Sequence, residues 1–294
     1  MKWLASFCMG TDLALFVKPD LHCHSRYSDG VLEPAQLAVR AFERGVDLWA
    51  LTDHDDVSGV REAREAASQL GVAFIAGVEI SVTWAAQTVH IVGLGVDESH
   101  EDLALGLARI RAERDQRALL IAEKLALAGI EGSYAGALEY VQNPSLVSRT
   151  HFARFLHKAG YVNSLQAAFD RYLGEQGQAY VPTQWASLHD AVDWILASGG
   201  VAVVAHPGRY KFSDLEFDAF FHEFRRFGGC AIEVNTGSHR PLENRHYAQV
   251  ARDYGFLASC GSDFHGPQES RHDLGSLQAL PADLTPVWQA LDVG

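Results

Sequence analysis

Histidine and aspartate cluster near the start of the chain, in the segment PDLHCHSRYSDG at residues 19–30. His22 and His24 are two positions apart, a spacing that places both side chains on one face of a strand, and Asp29 follows five residues later. Imidazole nitrogen and carboxylate oxygen are ligands that Mn²⁺, Fe²⁺ and Zn²⁺ accept in proteins. The segment could therefore hold divalent cations if other parts of the chain supply further ligands.

Further residues of the same types occur along the chain, mostly where a strand is predicted to end. Asp263 and His265 repeat the two-residue spacing. Thiolates are missing from the pattern, and this favours a catalytic cluster over a structural zinc site. The candidate metal ligands are His22, His24, Asp29, His54, Glu79, His90, His206, Asp263 and His265.

Nine ligands are too many for one ion, so the pattern predicts two or three divalent metals that share a bridging carboxylate. Such clusters orient phosphoryl oxygens and activate water near neutral pH. Asp53 lies beside His54 in the sequence. Rather than contribute to the site, it could cap the next helix or brace a neighbouring residue. Cys23 and Cys260 are predicted to serve in packing.

The elements that must position these residues alternate between strand and helix, which predicts an α/β fold with largely parallel strands. Ligands then meet at the carboxyl edge of the sheet, where active sites form in such folds. Predicted helices cover 32–45 and 57–71, and predicted strands cover 46–55, 72–82 and 88–96.

The chain is helical in character from residue 100 to 183, and the strand–helix alternation then resumes. We expect four parts: an N-terminal extension at 1–18, a first α/β part at 19–99, a helical insertion at 100–183, and a second α/β part at 184–294. The first residues make a poor signal peptide, and Met9 is an alternative start.

Composition limits the possible partners. Lys and Arg number 24 and Asp and Glu 37, so the formal net charge is −13, which disfavours binding to long nucleic acid. No apolar run approaches the ~20 residues that a membrane helix needs. Four cysteines without a CxxC pair suit reduced thiols and a cytoplasmic location.

Six motifs together resemble the polymerase and histidinol phosphatase (PHP) family of the amidohydrolase superfamily: DLHCHSRYSDG, ALTDHDDVSG, AGVEIS, VHIVGLGV, AHPGRY and GSDFH. The resemblance implies that the two α/β parts form a distorted seven-stranded (β/α) barrel with a trinuclear metal site. It also implies that the helical insertion covers the substrate. It makes all nine candidates metal ligands, with Glu79 bridging two ions and Asp53 orienting a ligand or a water. Manganese is the expected metal, with iron or zinc as alternatives.

Three further segments, TDHDDVSGVREA, SRTHFARFL and EVNTGSH, resemble the family's 3′,5′-nucleoside bisphosphate phosphatases, whose relatives include 5′→3′ exoribonucleases on short RNA. We expect Ser148 to cap a helix whose free N–H groups, with Arg149 and His151, bind a second phosphate. Asn235 and His239 are expected to line the opening of the same site.

The leading hypothesis is a metal-dependent phosphatase that removes the 3′-phosphate of a small bisphosphorylated nucleotide, with His206, Asp263 or Asp53 moving the proton. An exoribonuclease on short 5′-phosphorylated RNA uses the same chemistry. A histidinol-phosphate-type phosphatase and a non-enzymatic metal-binding module are further alternatives. The sequence leaves the oligomeric state open.

Overall fold

The computed structural model of the chain describes residues 17–291. The predicted N-terminal extension with its alternative start at Met9 therefore lies almost wholly outside the described residues, as does Cys8. Within the described range, Cys23, Cys230 and Cys260 are free thiols. The helices of this range include none with the length and apolar character to cross a membrane.

Seven strands form one sheet whose spatial order follows the order along the chain. Strand β4 pairs antiparallel with β3 and β5, and the other neighbouring pairs are parallel. The predicted α/β class is confirmed. The strands are β1 (Pro19–Asp20), β2 (Leu48–Leu51), β3 (Ala73–Trp84), β4 (Gln87–Leu94), β5 (Val201–Val204), β6 (Ala231–Thr236) and β7 (Leu257–Gly261).

The sheet curves into a nearly closed barrel because the chain after β1 bonds to β7 and to the residues that follow it. The amide of Leu21 donates to the carbonyl of Cys260 (3.0 Å), and the amide of Asp263 donates to the carbonyl of His22 (2.9 Å). The buried carboxylate of Asp20 accepts a hydrogen bond from the Ser262 amide (2.9 Å). The distorted seven-stranded barrel expected from the sequence is confirmed.

Helices flank the strands, and their ends follow local chemistry. Proline occupies the first helical position at Pro34 and Pro241, where a missing N–H costs nothing. Gly71 and Gly255 end two helices with φ of +73° and +66°, a conformation that favours glycine. The barrel helices are α1 (Pro34–Glu43), α2 (Val60–Leu70), α7 (Leu188–Ala197), α8 (Asp214–Arg226) and α9 (Pro241–Tyr254).

Four helices follow β4: α3 (Glu101–Leu127), α4 (Ser133–Leu138), α5 (Arg149–Lys158) and α6 (Leu165–Ala168). The first half of α3 packs Leu103 and Leu107 into the apolar cluster of the barrel. Its second half packs Ile121 and Leu125 into a separate apolar cluster among the helices that follow. Helix α3 thus belongs to both clusters and joins the helical region to the barrel.

Candidate active site

The structure brings all nine predicted metal ligands together at one end of the barrel. Seven of them follow the carboxyl ends of parallel strands, whereas Glu79 lies within β3 and His90 within the antiparallel β4. They form four overlapping groups in which the candidate donor atoms lie within 4.8 Å of one another. The groups are His24–Asp29–His54–His265, His22–Glu79–His206, His22–His24–Asp263 and His54–Glu79–His90.

Glu79 lies at the centre of the cluster and belongs to two of the groups. Its Oε1 is 2.8 Å from His90 Nδ1 and 2.9 Å from His206 Nε2. Its Oε2 is 2.8 Å from His54 Nδ1. Burial raises the pKa of Glu79, but the imidazoles of His54 and His90 outweigh it and hold the pKa well below its usual range. The charged carboxylate therefore has the placement of a ligand shared between two sites.

Glu233 positions two of the candidate ligands, although the sequence did not single it out. Its Oε1 accepts a hydrogen bond from His22 Nδ1 (2.7 Å), and its Oε2 accepts one from the backbone amide of His206 (2.6 Å). Because Nδ1 of His22 carries this proton, the lone pair of the neutral ring is on Nε2, which faces His24 Nε2 at 3.2 Å. Glu233 therefore orients the ring of one ligand and the backbone of another.

Several donor atoms face each other in a way that suits cations. His265 Nδ1 donates to the carbonyl of Asp263 (2.9 Å), so the lone pair of its neutral ring is on Nε2. This nitrogen lies 3.3 Å from Asp29 Oδ1, a buried oxygen that has no hydrogen-bond partner. Burial lowers the pKa of His265, but Asp29 and Asp263 outweigh it and raise the pKa to about 9, so without a metal a proton lies between these two atoms, and a divalent cation can take its place. The donor set therefore fits divalent metal ions.

Burial lowers the pKa of His24, His90 and His206 towards the neutral form that binds metal, whereas acidic neighbours outweigh burial and raise the pKa of the other three imidazoles, His22, His54 and His265. Burial, followed by the neighbouring His265 and His54, lowers the pKa of His24 to about 3. Burial and the nearby guanidinium of Arg209 lower the pKa of His206 to about 3. Both rings are therefore unprotonated at neutral pH.

Two of the candidate ligands have strained backbones. His206 has a φ of 27° and Asp263 a φ of 54°, and neither is glycine. Non-glycine residues in such conformations cost about 1–3 kcal/mol each and concentrate at functional sites. The strain is held by surrounding bonds, including the one from the His206 amide to Glu233.

Ser148 caps α5 as predicted, but the cap uses the amides that were expected to bind an anion. Ser148 Oγ accepts from the Thr150 amide (3.1 Å), and His151 Nδ1 accepts from the Ser148 amide (3.0 Å). The hydroxyls of Ser148 and Thr150 donate to Asp29 Oδ2 (3.2 and 2.9 Å). His151 is fully buried and does not line the cavity, and its Nε2 has no hydrogen-bond partner in the described part of the chain, so its role as a phosphate donor stays a prediction. The cap instead attaches α5 to a candidate metal ligand.

Arg149 does line a cavity beside the cluster, together with three arginines that the sequence did not single out. We call Arg114, Arg117, Arg149 and Arg209 the arginine pocket. Arg117 and Arg149 form no ion pair with any carboxylate among residues 17–291. Burial, together with the guanidiniums of Arg149 and Arg114, lowers the pKa of Arg117 to about 9. Buried cations without counterions make this pocket suited to an anion.

Trp185 and Asp55 hold part of the arginine pocket in place. The guanidiniums of Arg114 and Arg117 lie 5.0 and 5.2 Å from the ring centroid of Trp185. Arg114 Nε donates to the buried carboxylate of Asp55 (2.7 Å), which also accepts from the Ser81 amide (2.7 Å). Asp55 therefore neutralises Arg114 and leaves Arg117 and Arg149 available.

Replacing Asp55 with asparagine should lower the free energy of unfolding by about 3–5 kcal/mol, because it leaves the buried Arg114 without its counterion. Equilibrium denaturation measures the change. Asp190→Asn, at an exposed position on α7, is the matched control and should have little effect. Equal stability of the Asp55 variant and the native chain would contradict the neutralising role.

Two predicted substrate residues do not face the cavity. The Nδ2 of Asn235 donates to the carbonyls of Gln278 and Ala279 (2.9 and 3.2 Å). His239 Nε2 accepts from the Gly208 amide (3.0 Å), and its Nδ1 donates to the Val234 carbonyl (3.2 Å). Both side chains are buried, so the prediction that they line the mouth is wrong. His239 braces the loop that follows the candidate ligand His206, and Asn235 holds the segment at residues 278–279.

Asp53 has a bracing role too. Its Oδ1 accepts from the Ser25 amide (2.7 Å) and from Ser28 Oγ (2.5 Å), and its Oδ2 accepts from Ser25 Oγ (2.6 Å). Both oxygens are occupied by the loop between His24 and Asp29, so this geometry does not favour Asp53 among the three residues predicted to move the proton. The alternative, that Asp53 braces a neighbour, fits these bonds.

The sequence carried a signal for two of the missed arginines. The buried face of α3 follows a three- and four-residue spacing, and Arg114 and Arg117 occupy two positions of that apolar stripe. An arginine at a core position of a helix indicates a local task for its charge. The stripe consists of Leu103, Leu107, Ile110, Arg114, Arg117, Ile121 and Leu125.

Comparison with protein families and with curated proteins gives consistent results. A family model described as PHP domain matches residues 20–237. A 3′,5′-nucleoside bisphosphate phosphatase from Chromobacterium violaceum is 45% identical over 273 residues, covering 93% of this chain and 96% of the relative. A 5′-3′ exoribonuclease from Escherichia coli is 42% identical over 272 residues, covering 92% of each chain.

Two solved structures are similar over nearly the whole length. An amidohydrolase from Chromobacterium violaceum, with bound sulfate and no metal, has a TM-score of 0.90 at 45% identity, covering 93% of this chain and 95% of the other. A Bifidobacterium adolescentis protein, predicted to be a metal-dependent phosphoesterase, has a TM-score of 0.77 at 28% identity, covering 92% of both chains.

Proposed function

Because the chain belongs to the PHP family and is a hydrolase of phosphate esters, we propose that its substrate is a 3′,5′-bisphosphorylated nucleoside. It removes the 3′-phosphate from compounds such as adenosine 3′,5′-bisphosphate and releases the 5′-monophosphate and phosphate. The Chromobacterium relative, named for this activity, supports the assignment.

The observation that carries the proposal is one cavity with two kinds of phosphate-binding surface. His54, His90 and His265 of the candidate metal cluster line it together with the arginine pocket. A monophosphate would engage one of these surfaces, whereas a bisphosphate engages both. The positive charge is local, since the chain as a whole has a net charge of −13.

The residues divide between the two phosphates. Asp29, Glu79 and Asp263, with the six histidines, would hold divalent ions next to the 3′-phosphate. Bound there, such ions supply an activated water and orient the phosphoryl oxygens. Arg117 and Arg149 bind the 5′-phosphate, and Arg209 lies close to the cluster, 3.2 Å from Asp263 Oδ2.

We assign proton transfer to Asp263 rather than His206 on geometry. The side chain of Asp263 is 9% exposed and lies beside Arg209, whereas that of His206 is 2% exposed. His206 Nε2 points at Glu79 (2.9 Å), which is the placement of a ligand. Asp263 is a candidate ligand too, but the histidines lie near its Oδ1, whereas its Oδ2 faces Arg209 and is the better placed to exchange a proton at the edge of the cluster.

We expect two or three divalent ions per chain, with neighbours about 3.5–4 Å apart and manganese preferred. Cys23 and Cys260 are buried in apolar clusters and should bind no metal. Metal analysis and an anomalous diffraction map test this, and chelation should abolish phosphate release until manganese is returned. A single ion per chain, or an ion bound by a cysteine, would contradict the prediction of a metal cluster.

The exoribonuclease is the second candidate because the Escherichia coli relative carries that name at similar identity. Its substrate also presents a 5′-phosphate to the arginine pocket and a phosphate ester to the metal cluster. The two functions differ only in whether a chain continues beyond the scissile phosphate.

Phosphate release and RNA cleavage by the manganese-loaded protein distinguish the candidates. We expect the highest kcat/KM on adenosine 3′,5′-bisphosphate, compared with adenosine 5′-monophosphate, histidinol phosphate and a short 5′-phosphorylated RNA. Faster cleavage of the RNA would assign the chain to the exoribonucleases. A preference for histidinol phosphate would overturn the nucleotide assignment.

We further propose a reducing compartment such as the cytoplasm, because Cys23, Cys230 and Cys260 are free thiols. A small nucleotide or short RNA is the expected partner, since long polyanions are repelled by the acidic surface.

A further inference from the structure

Helix α3 has a second face that the fold and the proposed active site do not use. The buried face packs on the barrel and presents Arg114 and Arg117, whereas the opposite face is open to solvent. Leucines recur along this open face: Leu105 is 52% exposed, Leu120 is 48% exposed and Leu127 is 84% exposed. A helix with leucines on both faces indicates a partner on the outside.

The residues of the open face form complementary pairs at equal distances on either side of Gln116. Leu105 and Leu127 each lie eleven residues from Gln116, and Arg109 and Glu123 each lie seven residues from it. Steps of three and four residues keep these positions within one stripe of a helix.

Such symmetry matches what a twofold axis requires. When two identical helices cross antiparallel at the same residue, each position meets its mirror position on the partner. An axis at Gln116 places Arg109 of one copy opposite Glu123 of the other, and Leu105 opposite Leu127. The small Ala112 falls opposite the larger Leu120. Each charged pair and each apolar pair then occurs twice.

Arg109 and Glu123 are available for this pairing. Both are exposed, and neither forms an ion pair with another residue in the range 17–291. Helix α3 is 27 residues long, which corresponds to about 40 Å of contact length.

From the charge complementarity and the apolar pairs, we propose that the outer face of α3 binds a second copy of this chain, antiparallel, about a twofold axis at Gln116. The contact lies on the side of α3 opposite to the arginine pocket, so the cavity stays open in both copies. The proposal is independent of the substrate assigned above.

A charge-swap experiment on the full chain tests it, read by sedimentation velocity across micromolar concentrations. Arg109→Glu and Glu123→Arg should each weaken dimerisation about tenfold or more, because two attractive pairs become repulsive. The double variant restores opposite charges across the interface and should dimerise like the native chain. Arg245→Glu, an exposed change of equal charge on α9, should leave the dimer intact.

Leu120→Asp supplies an independent variant, since its exposed position leaves the fold unaffected and places a charge against Ala112 of the partner. It should give a monomer with a native circular dichroism spectrum. A native chain that remains monomeric throughout, or a dimer that ignores all of these variants, overturns the proposal. So does failure of the double variant to restore the dimer.

Discussion

Glu79→Gln lowers turnover by about a hundredfold or more while the barrel stays folded. The carboxylate lies between His54 on one oxygen and His90 and His206 on the other, so two of the candidate metal groups depend on it. Glutamine keeps the size of the side chain but removes its charge, and an amide is a weaker ligand for a divalent cation. Steady-state kinetics at saturating manganese measures the loss.

Metal content and circular dichroism complete the Glu79 experiment. The variant should bind fewer ions per chain and keep its spectrum, because most of the remaining ligands follow separate, well-packed strands. Glu98→Gln is the matched control: its carboxylate pairs with Arg64 at the surface and should leave turnover unchanged. Turnover close to that of the native chain would show that Glu79 does not bridge the proposed ions.

Arg149→Ala should lower kcat/KM for a 3′,5′-bisphosphate by about ten- to a hundredfold. A charge-assisted contact is worth about 1.5–3 kcal/mol, and that range corresponds to this loss. The same variant should barely change the rate on a substrate that carries only the scissile phosphate. The two substrates are therefore each other's control.

Arg117 extends this prediction, because it lines the same cavity and also has no carboxylate partner among residues 17–291. Arg117→Ala should likewise lower kcat/KM for the bisphosphate and barely change the rate on a substrate that carries only the scissile phosphate. Lys158→Ala removes a charge at the far end of α5 and should be neutral. If both substrates are affected equally, the arginines act on the reacting phosphate or on the fold. If neither is affected, the second phosphate binds elsewhere.

The candidate metal ligands could be predicted because their positions follow the strands. In parallel strands the carboxyl ends meet at one edge, so residues as distant as His22 and Asp263 are brought together by the topology alone. The two-residue spacing predicts that His22 and His24 share one face of a strand, as do Asp263 and His265. The same periodicity explains Asp53, since a residue next to the ligand His54 points the other way.

The arginine pocket could not be found by the same reasoning. Arg114 and Arg117 occupy an apolar stripe of α3 that marks them as buried, but only the packing of α3 on the barrel shows that they face the metal cluster. The prediction that Asn235 lines the opening of the site failed for a related reason. The register of β6 shifts between Glu233 and Asn235, and a strand pattern in the sequence does not reveal such a shift. Glu233 itself is one acidic residue in an apolar strand, and its two bonds exist only in three dimensions.

The closure of β1 onto β7 has a consequence for the order of folding. The bond from the Ser262 amide to Asp20 closes a loop of 242 residues, and the entropy of closing such a loop costs about 5 kcal/mol. Contacts of such high sequence separation form slowly, so we expect this seam to close after the local β3–β4 hairpin. His22 and His24 lie on one side of the seam and Asp263 and His265 on the other. The proposed ions then bind tightly only once the seam is shut, and they should slow unfolding rather than speed folding.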